Sequence, residues 1–297
     1  MLTPECTLRA WSSRTGLKVA AVVVALVAVA AVVALAASGE AGAGGLRSSG
    51  TAAKMTSDPP GTMTPTSASR GVNRPIMVVG IGDSVTAGTS CDCEAFIGLY
   101  ATDLASSRGL KTSSVNLGVA GWTSSRLLTS LTTPGSFRDQ VARADILLVT
   151  IGANDLVPLK SSQSGGCRKS CYSPLVAGVG HNVALIVAAA QAAQPDHPST
   201  ILVTNYWNVF EDGDVGAAAN GESFQTWSDT LTRAANAQIC DAAQRAGATC
   251  VDLYSRFKGD GSKDPTSRLA ADGDHPNSAG HQLIASALLA NTPLHIP

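Results

Sequence analysis

From residue 75 onward, short apolar runs alternate with stretches of helical periodicity, and this alternation constrains the fold more than any other property of the chain. The runs read as strands at 76–81, 114–118, 145–151, 200–205 and 248–253. Between them lie helical patterns near 94–108, 136–143, 175–193 and 222–246, and a last one at 278–290 closes the chain. Strands separated by helix-length segments are joined by crossovers, so they run parallel. The expected class is α/β: a three-layer α/β/α domain around a five-stranded parallel sheet, wound like flavodoxin. In such a sheet the reactive groups gather at the carboxyl ends of the strands.

The residues before this pattern divide differently. Residues 19–37 are 19 consecutive Val, Ala and Leu, nearly enough to cross a bilayer core as a helix. Arg9, Arg14 and Lys18 precede the run, with Glu5 the only acid, which places residues 1–18 in the cytoplasm. Ala34-Leu35-Ala36 has the small residues of a cleavage site, whereas the length of the run suits an uncleaved anchor, so signal-peptide core and transmembrane anchor both stand. Residues 38–74, mostly Gly, Ala, Ser, Thr, Pro and Met, have no period and read as a flexible linker. A folded domain at 75–292 and a tail at 293–297 complete the expected organisation. The domain is expected outside the cytoplasm, secreted or anchored, with membrane contact through residues 19–37 if they are retained.

Charge and cysteines narrow the function classes. A net charge of −1 and an aromatic content of 4% argue against a nucleic-acid partner, which would need a basic face or a stacking platform. Six cysteines lie beyond the apolar run: Cys91, Cys93, Cys167, Cys171, Cys240 and Cys250. In an oxidising compartment an even number reads as three disulfides. Cys240 and Cys250 are placed to pair locally. The other four could pair crosswise between two loops, pair within each loop, or hold zinc through four thiolates.

Four segments fall at the expected carboxyl edge. Gly82-Asp83-Ser84-Val85-Thr86 follows the first strand, Asn116-Leu117-Gly118-Val119-Ala120-Gly121 ends the second, Gly152-Ala153-Asn154-Asp155 ends the third, and Asp272-Gly273-Asp274-His275-Pro276-Asn277 follows the fifth. Serine is a poor nucleophile at neutral pH; it needs a histidine to take its proton and a carboxylate to orient that histidine. The first and last segments supply these groups in the order Ser, Asp, His. In these four blocks the chain resembles the GDSL or SGNH hydrolases, over the whole of 75–292, with Val85 in place of the family's Leu.

The resemblance implies a serine ester hydrolase of esterase or lipase type with no metal and no cofactor. Ser84 would be the nucleophile, His275 the general base and then acid, and Asp272 the orienting carboxylate, with Asp274 the competing candidate. The oxyanion hole would be the backbone N–H of Ser84, the backbone N–H of Gly121 and the side-chain amide of Asn154; Gly118 is the alternative glycine. Asp83 and Asp155 read as structural, through local hydrogen bonds. Asp196-His197-Pro198 enters a strand and so belongs to the wrong edge, and His181 and His281 fall within helical patterns. There is no Gly-x-Ser-x-Gly elbow, no phosphate-cradling Gly-x4-Gly-Lys-Ser/Thr and no His-Glu-x2-His.

Specificity should come from loops 86–93, 156–174 and 206–221, with Trp122, Tyr206, Trp207 and Phe210 as an exposed rim for an apolar acyl wall. The substrate class is a small-molecule, lipid or glycan ester. Two other readings share the fold: an acyltransferase acting on surface glycans, and a catalytically silent surface-binding module.

Overall fold

The computed structural model describes residues 74–162 and 165–296. The expected N-terminal segment, the apolar run and the linker up to residue 73 lie outside the described residues. Five strands, β1 (Ile76–Gly82), β2 (Thr112–Gly118), β3 (Ile146–Thr150), β4 (Thr200–Thr204) and β5 (Thr249–Val251), form one sheet. Its order is β2-β1-β3-β4-β5 and every neighbouring pair is parallel. This is the doubly wound flavodoxin order expected from the alternation.

Position in the sheet explains strand composition. The central β3, Ile-Leu-Leu-Val-Thr, is buried along its whole length, whereas β2 lies at an edge and can carry Ser113, Ser114 and Asn116. Burying a Leu or Val side chain fully contributes about 1.5–3 kcal/mol, so the central runs hold the layers together.

The helices are α1 (Ser84–Ala87), α2 (Phe96–Arg108), α3 (Ser124–Thr132), α4 (Ser136–Val141), α5 (Val157–Ser162), α6 (Lys169–Ala192), α7 (Gly213–Asn220), α8 (Glu222–Arg245), α9 (Leu253–Lys258) and α10 (Ser278–Ala290). α2 packs on α10, and α3, α6 and α8 pack in series, giving the two covering layers. α6 is long and apolar enough to pass for a membrane span, yet its Val176, Val179, Val183, Ile186 and Val187 are buried in the core.

Three differences from the expected elements have local causes. α6 starts at Lys169 rather than near 175, running through Pro174, and its entry is pinned by a Cys167–Cys171 disulfide. α3, α5, α7 and α9 are additional helices of six to nine residues. The disulfides are Cys91–Cys93, Cys167–Cys171 and Cys240–Cys250, so the four ambiguous cysteines pair within their own loops and neither cross-link the loops nor offer four thiolates.

At the carboxyl edge the chain must turn sharply from β1 into α1. Gly82 makes this possible: its φ is +144°, and a Cβ there would lie 1.9 Å from the Thr150 carbonyl oxygen of β3. Asp83 then caps α1, accepting from the Val85 N–H at 3.1 Å. Ser84 is left partly exposed at the first helical position.

Candidate active site

The loop after β5 and α9 closes on itself before it presents a histidine. Leu269 bridges Pro276, the Ala270 N–H donates to the His275 carbonyl at 2.8 Å, and Asn277 caps α10 through the Gly280 N–H. Inside this loop the Asp272 Oδ1 accepts from the Asp274 and His275 backbone N–H groups, both at 3.0 Å. The other oxygen, Oδ2, lies 2.8 Å from His275 Nδ1. A carboxylate accepts, so the proton sits on Nδ1 and leaves Nε2 free to take one. Burial alone would raise the Asp272 pKa, but hydrogen bonds from Ser90, the His275 ring and the two backbone N–H groups outweigh it and hold it at about 2.

Asp274 lies elsewhere. It lines the neighbouring cavity, and burial, with Glu211, Asp272 and Asp83 nearby, lifts it to about 6 against the opposing pull of His275. Of the two carboxylates, the one that meets the imidazole is Asp272.

Ser84, Asn154, Asp274 and His275 line one cavity of about 180 Å³, and Ala153, Val157, Lys160, Tyr206 to Glu211 and Asp83 complete most of its wall. Four separate segments of the sequence thus converge at the carboxyl edge of β1, β3, β4 and β5. Asp272 stands behind His275, outside the lining. The Asn154 Nδ2 donates to the Trp122 carbonyl at 3.0 Å, which ties it to the turn that follows β2. Gly121 precedes Trp122 in that turn with φ +80°, exposed and with open space beside it. Gly118 has a different role: a Cβ there would lie 2.4 Å from the Ala87 nitrogen, so it lets β2 pack against α1.

The two aspartates read as structural make more distant bonds than expected. Asp83 is fully buried and accepts from the Thr150 hydroxyl at 2.7 Å and from the Tyr206 hydroxyl, 123 residues away. Burial raises its pKa, opposed by these bonds and the Val85 N–H; the Tyr206 hydroxyl is pushed well above its ordinary value by burial and then by Asp83. Asp155 accepts from the Ser124 N–H at 2.8 Å and the Ser124 hydroxyl at 2.6 Å, clamping the Asn154 loop to the start of α3.

The aromatic residues are not the exposed rim that was expected. Tyr206, Trp207 and Phe210 are 2%, 1% and 3% exposed, because α8 and α9 cover the chain where it leaves β4. Trp207 stacks on Phe257 with centroids 4.4 Å apart, and Phe210 stacks on Trp227 at 6.0 Å. They still line the inner wall of the cavity, whereas half-buried Trp122 packs on Phe137 and is not part of the lining.

Ser90, which bonds to Asp272, carries no signal in the sequence: it sits in a loop with no period, and its φ of +61° follows from no motif. Of the two histidines within helical patterns, His181 is exposed and His281 is buried, with its Nδ1 accepting from the Phe96 N–H. A ring nitrogen of His281 falls within 4.8 Å of the Cys91 and Cys93 sulfurs, but Nδ1 is taken by the Phe96 N–H and the sulfurs are in a disulfide, so the trio is not set to ligate a metal.

Comparison with known proteins agrees with this architecture. A lipase from a goat rumen metagenome superposes with a TM-score of 0.60 at 18% identity, covering 72% of this chain and 96% of its own. A phospholipase A1 from Streptomyces albidoflavus superposes at 0.54 and 17%, covering 74% and 100%. An acetylxylan esterase from Geobacillus stearothermophilus gives 0.52 and 17%, covering 72% and 92%. No curated protein matches the chain by sequence. The family model described as the GDSL-like Lipase/Acylhydrolase family matches residues 81–283, from the end of β1 into α10, and the chain belongs to that family.

Proposed function

We propose that residues 75–292 form an exported serine ester hydrolase that works through Ser84, His275 and Asp272. The observation that carries this reading is the His275 ring, held by Asp272 at Nδ1 and bordering the cavity that Ser84 also lines. In the reaction, His275 Nε2 takes the Ser84 hydroxyl proton as Oγ attacks the ester carbonyl carbon. The resulting oxyanion is received by the Ser84 and Gly121 N–H groups and the Asn154 amide. His275 then gives its proton to the departing alkoxide, leaving an acyl-enzyme. A water, deprotonated by the same nitrogen, cleaves the acyl-enzyme and restores the serine. Asp272 stays charged throughout and stabilises the imidazolium.

Preorganised donors at the oxyanion account for a large share of such catalysis, about 10²–10³-fold for one side-chain donor. Export is supported by three disulfides, bonds that persist in oxidising compartments. It is supported too by the apolar run at 19–37 with its basic flank.

The test is covalent labelling by a fluorophosphonate, followed by hydrolysis of p-nitrophenyl acetate. Ser84→Ala should abolish labelling and lower kcat by about 10³-fold or more. Undiminished hydrolysis by purified Ser84→Ala protein would overturn the assignment. An acyltransferase would instead be revealed by transfer of the acyl group to an added sugar in preference to water.

A further inference from the structure

Among the described residues, two that are not glycine have positive φ, and they flank the same cysteine: Ser90 at +61° and Asp92 at +49°. An L side chain enters this region at a cost and stays there where the surroundings impose it. Ser90 is bracketed on both sides. Before it, the Thr89 N–H donates to the Ser84 carbonyl at 3.0 Å, and the Cys91 N–H closes a turn onto the Gly88 carbonyl at 3.4 Å. After it, the Cys91–Cys93 disulfide closes a ring over Asp92 alone. Cross-links stabilise a fold chiefly by closing long loops in the unfolded chain, and a ring this short closes very little. Cys240–Cys250, ten residues apart in sequence, is better placed for that task. The effect of Cys91–Cys93 is local: it fixes the backbone next to Ser90.

The same segment spans the two halves of the site. Through Thr89 it is tied to the carbonyl of Ser84 itself. At its other end the two sulfurs lie within 4.8 Å of a ring nitrogen of His281, and the Phe96 N–H donates to His281 Nδ1 at 3.3 Å. His281 belongs to α10, which starts at Ser278, directly after the loop that presents His275. Between these two anchors Ser90 hydrogen-bonds to Asp272. The residue type is telling. Ser90 is third of the four turn residues, where a positive φ is met most cheaply by glycine or asparagine. A serine there adds a hydroxyl at a conformational cost, and that hydroxyl reaches the carboxylate facing His275.

Resting on the serine-hydrolase reading above, we propose that Ser90 is a positioning residue of the triad, donating to Asp272 so that this carboxylate stays aimed at His275, and that the Cys91–Cys93 bridge holds Ser90 in the conformation this requires. Ser90 touches neither the ester nor the reacting atoms; it acts through Asp272. A hydrogen bond to a charged acceptor is among the stronger ones, and here it completes the set given by the Asp274 and His275 N–H groups and the imidazole.

The experiment is a set of variants of the full chain assayed on p-nitrophenyl acetate. Ser90→Gly suits the positive φ and removes only the hydroxymethyl group, so a residue that merely shaped the turn would be replaced without loss. The expected result is kcat lowered about tenfold with KM within about twofold, and a thermal midpoint that does not fall. In the Asp272→Asn background the same change should alter kcat less than about twofold, because its only route is that carboxylate. Replacing both cysteines, Cys91→Ala with Cys93→Ala, should lower kcat about as far as Ser90→Gly, and adding Ser90→Gly should cost nothing more. Wild-type kcat in Ser90→Gly, or a full tenfold loss in the Asp272→Asn background, would overturn the role of Ser90. Wild-type kcat in the cysteine variant would overturn the role of the bridge. So would its failure to fold, followed by circular dichroism, since the bridge would then carry the whole domain; Ser90→Gly still decides the rest. Hydrolysis undiminished in Ser84→Ala would strike the serine-hydrolase reading and this one with it, whereas Ser84-dependent hydrolysis indifferent to Ser90 would strike only this one.

Discussion

The sheet carries an aspartate–histidine pair at each of its two edges, and only one of them borders a cavity with a serine. At the amino edge, Asp145 is fully buried just before β3, and His197 Nε2 lies 3.0 Å from it just before β4. At the carboxyl edge, Asp272 and His275 are 2.8 Å apart. The pairs look alike in distance and differ in what else each carboxylate holds. Asp145 receives two N–H groups of Arg74 at 2.8 and 2.6 Å and the Met77 N–H at 2.8 Å, so its charge is spent on joining β1 to β3. Among the described residues Asp272 receives no arginine; its bonds come from Ser90, from its own loop and from the imidazole. A carboxylate neutralised by a guanidinium staples a fold, whereas one aimed at an imidazole can tune a base.

That contrast is open to direct attack. The largest expected effect is catalytic: Asp272→Asn should lower kcat about 10³-fold or more while the thermal midpoint moves by only a few degrees. Asp145→Asn should do the reverse, costing about 2 kcal/mol by urea denaturation with kcat/KM of the folded fraction within a few-fold of wild type. If both substitutions damaged stability equally and neither touched kcat, the division between the edges would be wrong.

The smallest effect concerns pH. Asp274 is raised from its ordinary value to about 6, so the folded state holds its proton more tightly than the unfolded chain does. The charged form therefore costs stability; the cost is absent below about pH 4, grows as pH rises through 6, and is then constant. Asp274→Asn should gain thermal stability at pH 8 and none at pH 4. Equal shifts at both values would show that the carboxyl titrates normally.

How much of this was legible beforehand follows from period and length. The five strands stood out because continuous Ile, Leu and Val runs are what a sheet buried on both faces requires. The long α2, α8 and α10 were visible for the same kind of reason. α5 and α9 span six residues each and α7 eight, with Gly216 its one buried residue, too little to set a period. Edge position and motif together single out Ser84, Asn154 and His275, and the fold brings the three to one cavity. The burial of Tyr206, Trp207 and Phe210 was not foreseen, since it depends on α8 and α9 folding back over them.

The bond from Tyr206 to Asp83 has a consequence for how the protein can change over generations. Tyr206 forms part of the wall that limits what enters the cavity, and its hydroxyl also secures the carboxylate that caps the turn carrying Ser84. A descendant that shortened Tyr206 to widen the cavity would loosen the turn that carries Ser84 in the same step. A wider cavity must then be reached by a detour, with a new donor to Asp83 arising first, or by remodelling Val157 and Lys160, which border the cavity from α5.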